Sequence, residues 1–345
     1  MMLRTLLGLA TAVTAMPLAT PDPLSLLASE TALTRAERAD FGAGRPVARV
    51  VDTTDRAEVM SVAAVRVQAS AERFLACARD VSCLHRNDDA LQAGRLGDRP
   101  EATDLAALGL DKRDTDALAH CQVGRCELRL SAEAIARLRK DVDWLSAAAP
   151  SQATAVFRSV LLEAAARYAE QGNRGLMGYH DDDRPVWIAD SVNSLLARRF
   201  FLFDLAPELR RHLVEYPASM LDTADDYFCW YREKFWRKTV IALTHVTVYE
   251  KAATPAPIVL VSSKQLYATH YYESELDLLA YISDAKGPHG ALVFLSRARA
   301  DIRPSGFNWM ERLLLRRLVR GRLENQLRLM KSRLEQYPRP PSTSP

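Results

Sequence analysis

The chain carries none of the sequence signatures of the common enzyme classes. It has no Gly-x-Ser-x-Gly nucleophile motif, no phosphate-binding Gly/Lys loop, no His-Glu-x-x-His motif and no dinucleotide-binding glycine pattern. These absences argue against common hydrolases, kinases and dehydrogenases, and they favour a protein without catalytic activity. The sequence therefore predicts neither a cofactor nor a metal site.

A strong charge of either sign and long hydrophobic runs are absent as well. The 345 residues include 46 basic and 43 acidic side chains, which gives a net charge of +3. So small a positive charge does not predict a nucleic-acid partner. No stretch beyond the N-terminal region approaches the roughly 20 apolar residues that a bilayer crossing needs.

The N-terminal residues predict a secretory signal peptide over 1–19. A single basic residue, Arg4, precedes a short apolar run, and the small residues Ala15 and Ala19 come after it. The apolar run is too short for a transmembrane anchor, and Pro17 prevents a helix from continuing beyond it. We therefore expect cleavage after one of the two alanines and a periplasmic or secreted protein.

The cysteines support an oxidising compartment. Cys77 and Cys83 lie close together in the sequence, and Cys121 and Cys126 bracket Gln-Val-Gly-Arg. In such a compartment close pairs predict short disulfide loops. The prediction is stronger for Cys121 and Cys126, because the glycine between them permits a tight turn. Cys77 and Cys83 could instead lie at a helix end, where the geometry would forbid a bond.

Changes in hydrophobic period divide the chain into six segments. These are the signal peptide 1–19, a leader segment 20–46, the first part of an α+β domain 47–130, a helical insertion 131–235, the C-terminal strands and long helix 236–337, and a disordered tail 338–345.

Period-two patterns place strands on both sides of the insertion. Before it we expect strands at Val47–Val51, Glu58–Val67 and Val123–Leu130. After it we expect strands at Thr239–Glu250, Ile258–Tyr272, Leu276–Ser283 and Ala291–Arg299, and then a helix over Asn308–Gln336 whose Leu and Met residues share one face.

This order of elements resembles the helix-grip fold of the START-like lipid-binding and polyketide-cyclase superfamily. The resemblance rests on the strand Val59–Val67 running into a helix at Ser70–Val81, on the strand series Thr239–Arg299 and on the helix Asn308–Gln336. It implies an α+β fold in which an antiparallel sheet wraps the long C-terminal helix and leaves an apolar cavity, here with a large helical insertion. The segment Ser262–Tyr272 also resembles exported bacterial proteins of unassigned function.

The resemblance implies a small hydrophobic or amphipathic ligand, similar to a lipid. The polar residues predicted to contact it are Tyr267, His270 and Arg297, with Lys264 and His245 as further candidates. Together these side chains could polarise a carbonyl or hold an anionic head group. Strand alternation separates Lys264 and His270 from Tyr267 unless a β-bulge intervenes. The alternative interpretation is that all are hydrogen-bonded residues of the sheet.

Two other functions remain open. One is an enzyme that acts on such a ligand, and the other is a non-catalytic structural protein of the cell envelope. The C-terminal helix also has a basic side, formed by Arg312, Arg316, Arg317, Arg320 and Lys331. Basic residues beside an apolar face suit peripheral contact with an anionic membrane, although the solvated face of a core helix is the simpler explanation.

Overall fold

The computed structural model describes residues 18–19, 21–55, 57–84, 88–219, 221–254, 257–284, 289–300 and 309–338. The strands are β1 Leu18–Ala19, β2 Val47–Val51, β3 Glu58–Val67, β4 Ala90–Arg95, β5 Gly178–Tyr179, β6 Val186–Trp187, β7 Ala224–Phe235, β8 Lys238–Lys251, β9 Ala253–Thr254, β10 Ile258–Ala268, β11 Tyr272–Ser283 and β12 Gly290–Ala300. The helices are α1 Pro23–Ala28, α2 Arg35–Gly42, α3 Ala71–Ala78, α4 Val81–Leu84, α5 Lys112–Leu118, α6 Ala132–Asp141, α7 Ala149–Gln171, α8 Ile188–Leu196, α9 Phe201–Leu205, α10 Pro207–Glu215 and α11 Trp309–Gln336.

An eight-stranded antiparallel sheet organises the fold. Its strand order is β2-β3-β12-β11-β10-β8-β7-β4. The strands β8, β10, β11 and β12 are consecutive neighbours except for the short β9, as their hairpin-like spacing predicts. The chain is thus an α+β protein with one large antiparallel sheet, as its period-two patterns predict.

Each face of the sheet packs against different elements. The face that we call the helical face packs Leu243, Leu260 and Leu278 in one cluster with α7 residues such as Phe157 and Leu161. The opposite face, which we call the cavity face, packs Val246, Val261 and Leu279 with residues of α3 and α11. The alternation of side chains along each strand produces this division.

The C-terminal half of α11 covers part of the cavity face. Leu323, Leu327 and Leu334 are buried there, whereas Leu314 and Leu318 in its first half are exposed. The predicted apolar side of this helix is therefore buried only along its later turns. Of the predicted basic side, Arg317 and Arg320 are exposed, Arg316 pairs with Asp52, and Lys331 bonds to Arg66 O and Glu335. The side chain of Arg312 lies outside the described part.

Both predicted disulfides are present. Cys77 and Cys83 are bonded with their Cα atoms 5.4 Å apart, so the end of α3 does permit the bridge. Cys121 and Cys126 are bonded with their Cα atoms 4.4 Å apart. Gly124 has a φ of +82° in the loop between them, a conformation that favours glycine.

Two predicted elements are wrong. The strand predicted at Val123–Leu130 is instead a tight turn followed by irregular chain, because the disulfide closes a loop in which Gln122 bridges Arg125. The helical insertion predicted over 131–235 contains a strand at its end, since α10 ends at Glu215 and β7 occupies 224–235. The alternating aromatic residues of β7 belong to the sheet because the strand pairs along its whole length with β8.

The predicted ends of the chain lie largely outside the described residues. Of the signal-peptide segment, only Leu18 and Ala19 are described, as the strand β1 that pairs in parallel with β9. The predicted tail is described only at Pro338. Among the described helices, none combines the length and apolar character needed to cross a bilayer.

Candidate functional site

A cavity of about 300 Å³ lies between α11 and the cavity face of the sheet. Strands β3, β7, β10, β11 and β12 contribute to its wall. Much of the wall is apolar, formed among others by Val261, Leu279, Phe294, Leu323, Leu327 and Met330. A cavity of this kind, largely apolar with a few polar groups, is the usual form of a small-molecule site.

A row of polar residues crosses the floor of this cavity. Ser263 pairs with Asp277, Asp277 with Ser296, and Ser296 with Ser61, so that four neighbouring strands contribute one polar residue each at the same register. All four side chains line the cavity. We call this set the polar row. The adjacent register carries Val261, Leu279 and Phe294 and is entirely apolar.

The carboxylate of the polar row is not fully hydrogen-bonded within the described protein. Oδ1 of Asp277 is buried and has no hydrogen-bond partner among the described residues. Burial, together with the charge of Glu233, raises the pKa of Asp277 to about 7, although a hydrogen bond with Ser296 opposes the change. An aspartate in this state both donates and accepts hydrogen bonds near neutral pH.

A second carboxylate lies beside the row. Glu275 precedes Asp277 by two residues on β11 and therefore faces the same cavity. Burial and the nearby charges of Asp277 and Glu233 hold the pKa of Glu275 well above its usual range. Two acidic groups so close in a sheltered site favour sharing a proton over full ionisation.

The basic residue nearest to these acids is already engaged. Arg322 projects from α11 into the cavity wall, and its Nη2 lies 2.9 Å from Oε2 of Glu233. Its Nε lies 3.3 Å from Oδ2 of Asp89, and its guanidinium stacks on the ring of Phe235. Arg333 also lines the cavity and donates to the carbonyl oxygen of Cys83. The cavity therefore presents acidic groups with protons to share, and both of its described arginines already have protein partners.

Aromatic residues form one end of the cavity. Tyr271, Tyr272, Phe235 and Trp236 line it, and the ring of Phe235 contacts those of Tyr271 and Tyr272. Trp236 is 39% exposed, so this end approaches the surface. Trp236 and Tyr271 both have positive φ, a conformation that costs bulky residues energy and that often occurs at functional sites.

The residues predicted to contact a ligand lie elsewhere. Lys264 and His245 pair across β10 and β8 on the helical face, opposite the cavity. The Nζ atom of Lys264 donates to Oδ1 of Asn173 at 3.0 Å and to the carbonyl oxygen of Leu213 at 2.8 Å. Burial lowers the pKa of Lys264 to about 7.

Tyr267 and His270 are buried among protein partners as well. The register shift between Gln265 and Tyr267 is a β-bulge, and it places Tyr267 on the helical face with Lys264. The Tyr267 hydroxyl donates to the carbonyl oxygen of Arg129 at 2.8 Å. Nε2 of His270 lies 3.1 Å from Oδ1 of Asp114.

Arg297 also lies away from the cavity, because its neighbours Ser296 and Ala298 are the residues of β12 that face it. Arg297 forms an ion pair with Glu58, and its guanidinium packs over the ring of Phe200. The structure thus brings Lys264 and His245 together on the helical face, and it brings none of the five predicted residues to the cavity wall. Their role in ligand binding stays a prediction.

Sequence reasoning missed the polar row. Its members are spread over four strands, and each is an ordinary polar residue within its own strand. The available signal was the pair Glu275 and Asp277, two acidic residues that alternate with Leu276 and Leu278 at the start of a predicted strand, with Glu275 directly before it. Such a pattern predicts that one face of the strand is polar. Only the register of strand pairing shows that Asp277 lies beside Ser263 and Ser296.

Comparisons with known proteins find similarity to solved structures but not to known sequences. No family model and no curated protein matches the chain. Among solved structures, it is similar to a STAR-related lipid transfer protein (fragment 25–204) from Xanthomonas axonopodis, with a TM-score of 0.39 and 8% identity. The match covers 84% of this chain and 94% of that one.

Proposed function

We propose that this protein binds a small amphipathic molecule in the cavity between α11 and the sheet. The ligand's apolar part contacts Val261, Leu279 and Phe294, and its polar group hydrogen-bonds to Asp277. The observation that carries the proposal is the polar row, which crosses the floor of a largely apolar cavity and includes a buried carboxylate oxygen without a partner among the described residues. Buried polar atoms are nearly always hydrogen-bonded, so a ligand group that satisfies this oxygen is favoured.

The volume limits the size of the ligand. At about 300 Å³ the cavity lies at the lower end of ligand sites, which range over roughly 300–1,000 Å³. A single alkyl chain or a compact ring system suits this space better than a two-chain lipid.

The charges favour a hydrogen-bond donor as the polar group. Asp277 and Glu275 would repel a carboxylate or phosphate, and Arg322 is already paired with Glu233. A hydroxyl or a protonated amine therefore fits the site. This ligand differs from one with the anionic head group predicted from the sequence, because the basic residues behind that prediction face away from the cavity.

The proposal retains two further expectations. One is a helix-grip arrangement, in which the sheet curves around α11 to enclose the ligand. The other is function outside the cytoplasm, which the two disulfides and the signal-like N-terminal pattern support.

Displacement of a fluorescent apolar probe tests the proposal. We expect 1-N-phenylnaphthylamine to bind with enhanced fluorescence, and decanol and decylamine to displace it at pH 8 at concentrations about tenfold lower than decanoate, an electrostatic difference of about 1.4 kcal/mol. The variant Asp277→Asn should lose the preference for decylamine over decanoate, because the asparagine side chain can still form a hydrogen bond but carries no charge.

A blocking variant provides the control. Ala298 is 6% exposed and lines the cavity, so Ala298→Phe should prevent probe binding, whereas Ala107→Phe on the exposed surface should not. Melting curves establish that both variants fold. If probe binding survives in a folded Ala298→Phe protein, or if wild-type protein binds no probe, the cavity is not the ligand site and the structural-protein alternative gains support.

A further inference from the structure

Three side chains with metal-binding chemistry meet on the helical face, away from the cavity. His212 comes from α10, Asp226 from β7 and His245 from β8. Their nearest ligand atoms all lie within 4.8 Å of one another. Nε2 of His245 is 2.8 Å from Oδ1 of Asp226, and Nε2 of His212 is 3.1 Å from the same carboxylate. We call these residues the His–Asp–His cluster.

The hydrogen bonds of His212 suit a metal ion at this position. Its Nδ1 lies 2.5 Å from the carbonyl oxygen of Ser219 and must therefore carry a proton to donate. In a neutral ring Nε2 then presents its lone pair to Asp226, which is repulsive because the carboxylate also presents lone pairs. A metal ion between the two side chains removes this repulsion.

The surroundings match those of a metal site. A carbonyl that accepts from Nδ1 orients the opposite ring nitrogen toward a metal, as in most histidine ligands. Nδ1 of His245 is 2.9 Å from the hydroxyl of Tyr168, which can accept a hydrogen bond from this nitrogen in the same way. The hydroxyl of Thr247 donates to Oδ1 of Asp226 at 2.7 Å and fixes the carboxylate.

We propose that His212, Asp226 and His245 bind a divalent transition-metal ion, with Zn²⁺ the best match to their chemistry. Two imidazoles and one carboxylate favour zinc over magnesium or calcium, which prefer oxygen ligands. Ligands bound at roughly 2.0–2.1 Å to one ion lie roughly 3 Å apart, similar to the two His–Asp separations. The side chains of both histidines are fully buried and that of Asp226 is 13% exposed, so an ion would enter beside the carboxylate.

Another buried pair in the same protein supplies a matched control. Nε2 of His270 lies 3.1 Å from Oδ1 of Asp114, and both side chains are almost fully buried. Among the described residues no third metal-binding side chain joins this pair. His270→Gln thus removes a buried His–Asp contact without touching the proposed site.

The experiment uses full-length protein purified without metal-affinity resin, stripped with EDTA and titrated with Co²⁺ or Zn²⁺. We expect one bound ion per chain, visible d–d absorption from Co²⁺, and a melting temperature that Zn²⁺ raises by several degrees and EDTA restores. Asp226→Asn and His212→Gln should weaken binding by at least about 100-fold, the upper end of the loss caused by removing an outer-shell partner. His270→Gln should bind as wild type does.

The wild-type titration decides the case even if a variant fails to fold. Stripped wild-type protein that shows neither Co²⁺ absorption nor a Zn²⁺-dependent melting shift would overturn the proposal. Equal metal binding by wild type and a folded Asp226→Asn protein would also overturn it, because the ion would then be bound elsewhere. The cluster and the cavity lie on opposite faces of the sheet, so this result is independent of the ligand-binding assay.

Discussion

The two faces of the central sheet place their polar residues in different surroundings. On the helical face, Lys264, Tyr267 and His245 are fully buried, and each has hydrogen-bond partners at 2.8–3.0 Å. On the cavity face, Asp277 lies in a space of about 300 Å³ with one oxygen that no described residue satisfies. The same strands thus carry mostly protein-bonded polar residues on one side, where the hydroxyls of Ser262 and Ser274 still have no described partner, and a carboxylate that lines a cavity on the other.

This difference shows how to separate structural polar residues from candidates for ligand binding. A strand rich in Lys, Tyr and His attracts attention in a sequence, yet on the helical face such residues connect the helical layer to the sheet. Burial without a partner is costly, so a polar atom that lacks a described partner and also lines a cavity identifies where an outside molecule would contribute a hydrogen bond. The number of polar residues in a strand does not identify such a position.

The largest difference between the two faces should be in the free energy of unfolding lost when a phenylalanine on each face is replaced by alanine. Phe157 is 1% exposed and packs at an edge-to-face angle on Tyr267. Phe157→Ala should therefore reduce the free energy of unfolding by about 3–5 kcal/mol. Phe294 lines the existing cavity, so Phe294→Ala should cost less than half as much while increasing the volume open to the apolar probe.

Urea denaturation of both variants measures this difference, with probe fluorescence as a second readout. Equal destabilisation by the two substitutions would contradict it and indicate that the cavity face is packed as tightly as the helical face. The m-value should stay unchanged, because neither substitution is expected to alter the surface exposed on unfolding.

Sequence patterns predicted the sheet better than they predicted the site. Val47–Val51 and Glu58–Val67 match β2 and β3 residue for residue, because β-branched runs bounded by turn residues encode strands locally. The strand β7 was missed because its mixed polar and aromatic sequence has no strong local signal, and its pairing with β8 determines its structure. The sequence also did not determine whether β10 contains a bulge, and this bulge decides the face on which Tyr267 lies.

The site was harder to predict for a related reason. Alternation assigns Lys264 and Ser263 to opposite faces, but it does not show which face is covered completely and which retains a cavity. That outcome depends on how far α11 extends over the sheet, and its first half exposes Leu314 and Leu318, which the sequence places on the apolar side. The polar row then depends on long-range register, which no local pattern contains.

The acidic cavity predicts a pH dependence of stability. The pKa of Asp277 is raised to about 7 in the folded protein, above the roughly 3.9 of an unfolded chain. Between these values the folded state binds more protons than the unfolded state, so the free energy of unfolding falls as the pH rises from 4 to 7. The expected loss is roughly 3 kcal/mol up to pH 7, and less than about 1 kcal/mol more is lost as the pH rises through 7 to about 8.

Comparing Asp277→Asn with wild type across this range isolates the effect. The variant should be more stable than wild type at pH 7 and should show a shallower pH slope, with the remaining slope due partly to Glu275. Asp116→Asn serves as the surface control, because its carboxylate is exposed in a pair with Lys112. A parallel slope in wild type and Asp277→Asn would show that the cavity does not hold Asp277 protonated.

The smallest expected difference concerns the two disulfides, which lie on opposite sides of the sheet. They close loops of similar length, with sequence separations of 6 and 5, so loop entropy alone predicts about 2 kcal/mol for each. Cys77 and Cys83 are both buried in the cavity-side cluster, whereas Cys126 is partly exposed. Replacing Cys77 and Cys83 by serine should therefore cost more than replacing Cys121 and Cys126, because the buried hydroxyls lose apolar packing without gaining equivalent partners.

Denaturant midpoints of the two double variants, compared with wild type, measure this order. Thiol labelling provides an independent check on the bridges themselves. Burial raises the pKa of Cys229 to about 12, and this thiol is fully buried, so native protein should not label. Denatured but unreduced protein should label once, at Cys229, and five times only after reduction. Labelling of Cys121 and Cys126 before reduction would show that this loop is held by its glycine turn alone, and the cost of their replacement should then fall to near zero.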